Sequence, residues 1–333
     1  MATPAAAQHD DRYAAIVMDA RTNEVLLEDN ADAHRFPASL TKMMTLYMLF
    51  EAIERGDVTL DTRLVASRTA SRQPPSRLGL RAGDAITVDQ AIRALAVQSA
   101  NDVATMVGER LGGSEARFAA AMTSRARELG LADTRFANAS GLPDDRHRTT
   151  ARDMAILSQA LWRDFPQYYH YFQTPTFSWR RSYGRNHNRL LGQIEGVDGI
   201  KTGYTRASGF NLATMAERGG RRVIVVVLGG ETSAARDAQV AHLVEGAFQE
   251  YARREAPDAV TFAGLQTRRL DVQLAPGAAP AGSVTATASR PGASPYATYQ
   301  GMTVETLGPQ RQPYAVIGQG DAGADNSTDE GEE

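Results

Sequence analysis

Apolar and polar positions alternate along this chain in two rhythms. Tyr13 to Met18 is an apolar, partly β-branched run; Asp19 to Glu24 is turn-like; Val25 to Leu27 resumes the apolar run. Two such runs across a short polar turn predict an antiparallel hairpin. From Ser39 to Glu54 the chain is rich in Met and Leu and free of Gly and Pro, which predicts a helix whose first turn, after Pro37, holds Ser39. Helical patterning returns from Val88 to Glu109 and from Ser114 to Leu129, with Gly130 as C-cap, and again from Ala151 to Leu161, with Thr150 as N-cap. Residues 56–88 and 138–148 read as turns and loop.

A second strand-like block follows. Val197 to Lys201 leads into Gly203, Gly209 to Met215 is small and apolar, and Val223 to Leu228 is continuously hydrophobic after Gly219-Gly220. The last two read as adjacent strands across a tight turn. A helix is predicted from Arg236 to Tyr251. Strands therefore lie at both ends of a region with helices between, an α+β arrangement in which the N- and C-terminal segments share one antiparallel sheet. After about Pro257 the composition shifts to Ala, Pro and Gly, with short alternating stretches at 270–274 and 299–307. The expected organisation is a flexible N-terminus over 1–11, a main domain over 12–255, a small or incomplete β-rich module over 256–317, and an acidic disordered tail over 318–333.

Composition narrows the function classes. The 333 residues carry a formal net charge of -3, so a broad basic surface for nucleic acid is not expected. With no cysteine, thiolate nucleophiles, disulfides and cysteine-ligated metals are excluded. The start, MATPAAAQHDDRYAA, lacks the basic and apolar regions of a signal peptide, and the chain has no apolar stretch long enough for a transmembrane span.

Three short strings carry chemistry. In Ser39-Leu40-Thr41-Lys42 the hydroxyl and the amine fall on one face of a helix. A serine needs a nearby base to attack, and a lysine supplies one where burial or neighbouring positive charge lowers its pKa. Ser99-Ala100-Asn101 places polar side chains inside the apolar segment from Ala91 to Val107, where they need buried partners or a cleft. Lys201-Thr202-Gly203 lies on a predicted edge strand, where Gly203 permits close backbone approach and the edge can pair with an extended peptide. Taken singly, each has an ordinary reading: a helix start with a solvated lysine, a capped turn between helices, and a strand end.

Together and in this order, the three resemble the penicilloyl-serine transferase superfamily of penicillin-binding proteins and serine β-lactamases. Residues 36–45, 138–143, 197–205 and 209–211 are more closely similar to the low-molecular-weight, serine-type D-alanyl-D-alanine carboxypeptidases. The resemblance spans roughly 12–251 and implies a β-lactamase/transpeptidase-like fold: an antiparallel sheet flanked by helices, with a helical subdomain. It implies Ser39 as nucleophile, Lys42 as general base, Ser99 as proton relay helped by Lys201, and Asn101 as a positioning group. Lys201 and Thr202 would bind the terminal carboxylate. Gly203 would permit the approach, and the backbone N–H groups of Ser39 and Tyr204 would form an oxyanion hole. Arg236 stands where the family has a carboxylate-facing arginine; its ordinary reading is a solvent-facing turn of the last helix. No cofactor, metal or histidine is required. The implied partners are peptidoglycan stem peptides ending in D-Ala-D-Ala and β-lactams as covalent inhibitors. The implied location is periplasmic or extracytoplasmic, with the signal peptide absent from the chain as given.

Two positions depart from the pattern. His187 stands where arginine is usual, and Tyr204 where histidine is common; both bear on substrate preference. His147 and His170 read as structural or surface residues. The same constellation serves an endopeptidase or a transpeptidase, and less readily a β-lactamase, for which Glu128 is an unconvincing deacylating base. A non-catalytic wall-binding protein would not be expected to retain all three motifs.

Overall fold

The predicted hairpin forms the N-terminal edge of one five-stranded antiparallel sheet. In a computed structural model, which describes residues 12–255, β1 (Ala14–Asp19) pairs with β2 (Val25–Asp29). The regions expected as the N-terminal extension 1–11, the module 256–317 and the tail 318–333 lie outside the described residues.

After Pro37 the chain makes a single 3₁₀ turn, Ala38–Leu40, before α1 (Thr41–Glu54). Ser39 thus sits on the tight turn that leads into the helix, rather than within it. Every residue of α1 from Thr41 to Tyr47 is buried, which makes α1 the central helix of the molecule. Next come β3 (Arg63–Val65), α2 (Arg68–Ser71) and β4 (Ala85–Thr87), with β3 and β4 pairing as a small sheet. α3 (Val88–Arg93) starts at a capping box between Thr87 and Gln90.

The helix expected from Val88 to Glu109 is interrupted. α3 widens into a π-type turn over Ala94–Gln98, and Ser99 then adopts a left-handed backbone (φ 57°, ψ 39°). α4 (Asn101–Gly112) begins two residues later. The break is held by non-local bonds. Asn101 donates its backbone N–H to Ser76 O (2.8 Å). The Asp102 carboxylate accepts the N–H groups of Leu78, Gly79 and Leu80 at 2.8–3.1 Å. Periodicity sees the apolar spacing but not the loop that takes over the freed backbone groups.

α5 (Glu115–Glu128) and α6 (Ala151–Asp164) start at Ser114 and Thr150, whose side chains accept from the N–H groups of Arg117 and Asp153. A hairpin that the sequence reading did not anticipate follows: β5 (Thr176–Trp179) and β6 (Ser182–Arg185). Its turn is Arg180-Arg181, with Arg180 at φ 51°, so it lacks the Gly or Asn that usually marks such a turn.

The sheet is completed by β7 (Val197–Thr205), β8 (Gly209–Arg218) and β9 (Arg221–Gly230), in the order β2-β1-β9-β8-β7. An N-terminal and a late segment of the described residues meet where β1 pairs with β9, and β2 and β7 are the two edges. Val223 to Leu228 are fully buried because both faces of β9 are covered. Ile224, Val226 and Leu228 join a core with α1 and α6, and α7 (Ser233–Glu255) packs against β9 and β8. Among the described residues no helix is long and apolar enough to cross a membrane.

Candidate active site

Three elements clamp the turn that carries Ser39. Asn211 on β8 donates through Nδ2 to Phe36 O (3.0 Å) and Pro37 O (3.1 Å), and its Oδ1 accepts from Gly229 N (2.9 Å). On the second side is Gly141 (φ +83°), where an added Cβ would stand 1.7 Å from Ala38 O. On the third is Gly203 of the edge strand, where a Cβ would stand 3.0 Å from both Ser39 N and Pro37 O. Ala38 itself has φ 48°, a left-handed conformation that a non-glycine residue adopts only where its surroundings enforce it.

Lys42 lies beneath this turn, fully buried. Its Nζ is 3.0 Å from Ser39 Oγ, 2.8 Å from Asn101 Oδ1 and 2.6 Å from Ser140 O. Burial holds its pKa well below the ordinary lysine value, and the charge of Lys201 pushes the same way against the opposing charge of Asp102. The geometry decides what a neutral Lys42 does. Asn101 Oδ1 and Ser140 O can only accept, so they take both N–H bonds of the amine. The remaining lone pair then faces the Ser39 hydroxyl.

Both accepting oxygens are locked. Asn101 Nδ2 donates to Pro74 O (2.9 Å), which settles the side-chain orientation. Asn138 Oδ1 accepts from Ser140 N (3.1 Å) and Gly141 N (2.8 Å), shaping the loop that aims Ser140 O at the lysine. Ser99 Oγ is buried and has no hydrogen-bond partner among the described residues. The left-handed backbone of Ser99 lies two residues before Asn101, at the break between α3 and α4.

Across the cleft Lys201 is 2% exposed and donates to Thr202 O (3.1 Å). Burial first, and Arg236 second, push its pKa down to about 7. The fold therefore brings Ser39, Lys42, Ser99, Asn101, Lys201, Thr202 and Gly203 to one place, from a helical turn, a helix break and an edge strand.

The family model described as D-alanyl-D-alanine carboxypeptidase matches residues 2–232. The chain belongs to this family. It is 36% identical over 246 residues to the D-alanyl-D-alanine carboxypeptidase DacA of Escherichia coli K12, covering 72% of this chain and 61% of that one. It is 33% identical over 243 residues to DacF of Bacillus subtilis 168, covering 71% and 62%. The chain thus spans about six-tenths of the length of the curated relatives it matches. Among solved structures, it is similar to penicillin-binding protein D2 of Listeria monocytogenes in its cefotaxime-bound form, with TM-score 0.64 and 34% identity over 70% of this chain and 95% of that one. The fold is accordingly that of the penicillin-binding transpeptidases, as the resemblance implied.

Within this family's fold, the remaining expected residues take distinct places. Arg236 does not face solvent: it is 4% exposed, and its guanidinium donates to Asn211 O (2.6 Å) and Asp237 Oδ1 (2.8 Å). Its charge reaches the site through Lys201 and His187. His187 keeps an exposed surface yet stands in a dense, cationic surround; desolvation, then Lys201, Lys42, Arg189 and Arg236, hold it at about 4. It is therefore neutral at pH 7 and adds no charge for a carboxylate. Tyr204 is 55% exposed, with its ring stacked on Phe210 at 4.2 Å. Glu128 closes α5 beside Arg125, with an Nη1–Oε2 distance of 2.7 Å, and belongs to no part of the site.

Sequence reasoning gave no role to several supporting groups. Asn211 and Asn138 were visible only within family-like strings. Asp102 adjoins the second motif but reads as a helix-start acid. His147 is buried, with Nε2 2.9 Å from Thr41 Oγ1 inside the first motif, and burial holds it at about 4. No linear signal joins positions 41 and 147. A separate cavity lined by Met48, Glu51, Arg110 and Phe118 shares no residue with this cluster.

Proposed function

We propose that the chain is a serine-type D-alanyl-D-alanine carboxypeptidase, acting on peptidoglycan stem peptides outside the cytoplasmic membrane. The observation that carries this reading is the buried Lys42 Nζ 3.0 Å from Ser39 Oγ, with Asn101 Oδ1 and Ser140 O as its two other partners.

Lys42 takes the Ser39 proton as Oγ attacks the carbonyl between the two D-alanines. The oxyanion forms against the N–H groups of Ser39 and Tyr204, on the two segments that Gly203 lets approach. The terminal carboxylate lies against Lys201 and Thr202, within the positive field to which Arg236 adds. Ser99, whose buried hydroxyl has no hydrogen-bond partner among the described residues, passes a proton to the departing D-alanine amine and is reprotonated by Lys42, which returns to its neutral form. Water then attacks the acyl-enzyme, with Lys42 again as base, and releases the shortened peptide. A β-lactam acylates the same Ser39 without releasing a leaving group, so its adduct persists. The cefotaxime-bound form of the Listeria relative supports this partner class.

The test is intact-mass analysis after incubation with benzylpenicillin. A stable adduct on the parent and none on Ser39→Ala is expected; rapid turnover of the antibiotic, or an adduct on the variant, overturns the reading. Product analysis on a soluble pentapeptide and on a cross-linked dimer separates the acceptors. Release of the terminal D-alanine alone is expected, whereas cleavage of the dimer would point to endopeptidase action.

A further inference from the structure

The hairpin β5–β6 has one face committed to the fold and one face free of it. Phe177 is buried in the core, and its carbonyl accepts from Gln98 Nε2 (3.2 Å). A Cβ at Gly184 would stand 2.4 Å from Gln98 Cγ. Side chains alternate along a strand, so the opposite face presents Thr176, Ser178, Tyr183 and Arg185. Thr176 pairs with Arg185 and Ser178 with Tyr183, which sets these four on one face. Tyr183 is 61% exposed. Arg181 adds a second exposed cation at the turn. The turn itself is fixed, because Arg180 bonds Asp84 (3.0 Å) and lies over the Trp179 ring (4.2 Å).

Charge along this stretch departs from that of the whole chain. Residues 165–194 contain four arginines and no Asp or Glu, in a chain of net charge -3. The hairpin also borders the cleft. Gln98 precedes Ser99, and β6 runs on to His187, which feels the charges of Lys201 and Lys42.

We propose that this outward face is a docking surface for the peptidoglycan polymer itself, separate from the cleft that takes the reacting peptide end. The proposal rests on the carboxypeptidase reading above. A patch of one exposed ring, two hydroxyls and flanking arginines on one face matches a glycopeptide strand. Sugar rings offer C–H faces to an aromatic ring, and neighbouring stem peptides offer free carboxylates to guanidinium groups. A surface for an uncharged partner has no use for a stretch of arginines without acids. The surface would hold the enzyme on polymeric wall while the cleft trims individual stems, and would favour polymer over soluble fragments.

The test is co-sedimentation of the full chain with purified insoluble peptidoglycan at low and high salt. Soluble-pentapeptide turnover and penicillin labelling are measured on the same preparations. Tyr183→Ala, and separately Arg181→Glu with Arg185→Glu, are expected to weaken sedimentation about tenfold. Both should leave soluble turnover within about twofold. Tyr183→Phe and the paired Arg→Lys changes should restore binding. Unchanged sedimentation in both variants overturns the proposal, as does a parallel loss of soluble turnover. Equal retention on heparin, indifferent to Tyr183, would show simple cation exchange and overturn it too. Absence of penicillin labelling in the parent refutes the carboxypeptidase reading instead, while sedimentation still reports on the surface.

Discussion

Lys42 and Lys201 are two buried amines facing one cleft, and their environments divide the work between them. Lys42 has its two hydrogens claimed by fixed oxygens and is depressed by burial and by Lys201. Lys201 sits at about 7, depressed by burial and then by Arg236, so near neutrality part of its population is charged and able to hold a carboxylate. If Lys201 holds the peptide terminus as proposed, capture in the free enzyme should be strong below that value and decline as pH rises through it. Arg236 lowers the value, so Arg236→Gln should raise it and move the alkaline limb of kcat/KM to higher pH. Penicillin labelling of Ser39 checks that the turn beside Asn211 survives the change. An alkaline limb that stays in place would show that Lys201 is not the group being titrated. Substitution of Lys42 itself is less informative, because it removes base and buried partner together.

Among the elements, the nucleophile turn is held by backbone contacts as much as by side chains. Gly141 shows this most directly: φ is +83° and a Cβ would collide with Ala38 O. Gly141→Ala should displace the turn by a fraction of an ångström to an ångström, and a misplacement of that size costs on the order of 100-fold in rate. Gly192→Ala is the matched comparison, since Gly192 also has positive φ (+71°) but open space around its Cβ position. It should cost only the left-handed backbone penalty, roughly 1 kcal/mol, with acylation unchanged. Stopped-flow acylation and thermal melts of the two variants check this. Equal acylation rates would mean that the turn tolerates the added atom. The break between α3 and α4 obeys the same logic: Asp102 and Asn101 gather the loop 74–80, and that tie keeps Ser99 out of a continuous helix.

For the molecule as a whole, the site is a standing cost to stability. Folding buries amines that the unfolded chain leaves in water, so at neutral pH the unfolded state binds more protons at Lys42 and Lys201. For Lys201 the folded value is about 7 against a reference of 10.5, so stability should rise as pH climbs between those two values. The slope is at most about 1.4 kcal/mol per pH unit for each such group. Lys201→Met should remove its share of that slope and leave the part due to Lys42. Urea unfolding of parent and variant at neutral and mildly alkaline pH measures the difference. A parent whose stability is level or falling over that range would contradict the buried-amine account.

Taken alone, the sequence supplied the candidate residues and their order: a serine and lysine one helical turn apart, a serine and asparagine in an apolar stretch, and a lysine, threonine and glycine on an edge strand. It also settled most elements, because the periods of burial are local properties of the chain. The hairpin 176–185 escaped it, since the turn at Arg180-Arg181 is enforced by Asp84 and Gln98 from elsewhere in the chain. Only the tertiary structure decided which oxygens surround Lys42 Nζ, that Arg236 is turned inward, and that His187 is neutral. Each depends on atoms far apart in sequence, as when Asn211 grips Phe36 across 175 positions. Burial and charge, which set the pKa values, are sums over neighbours that only folding assembles.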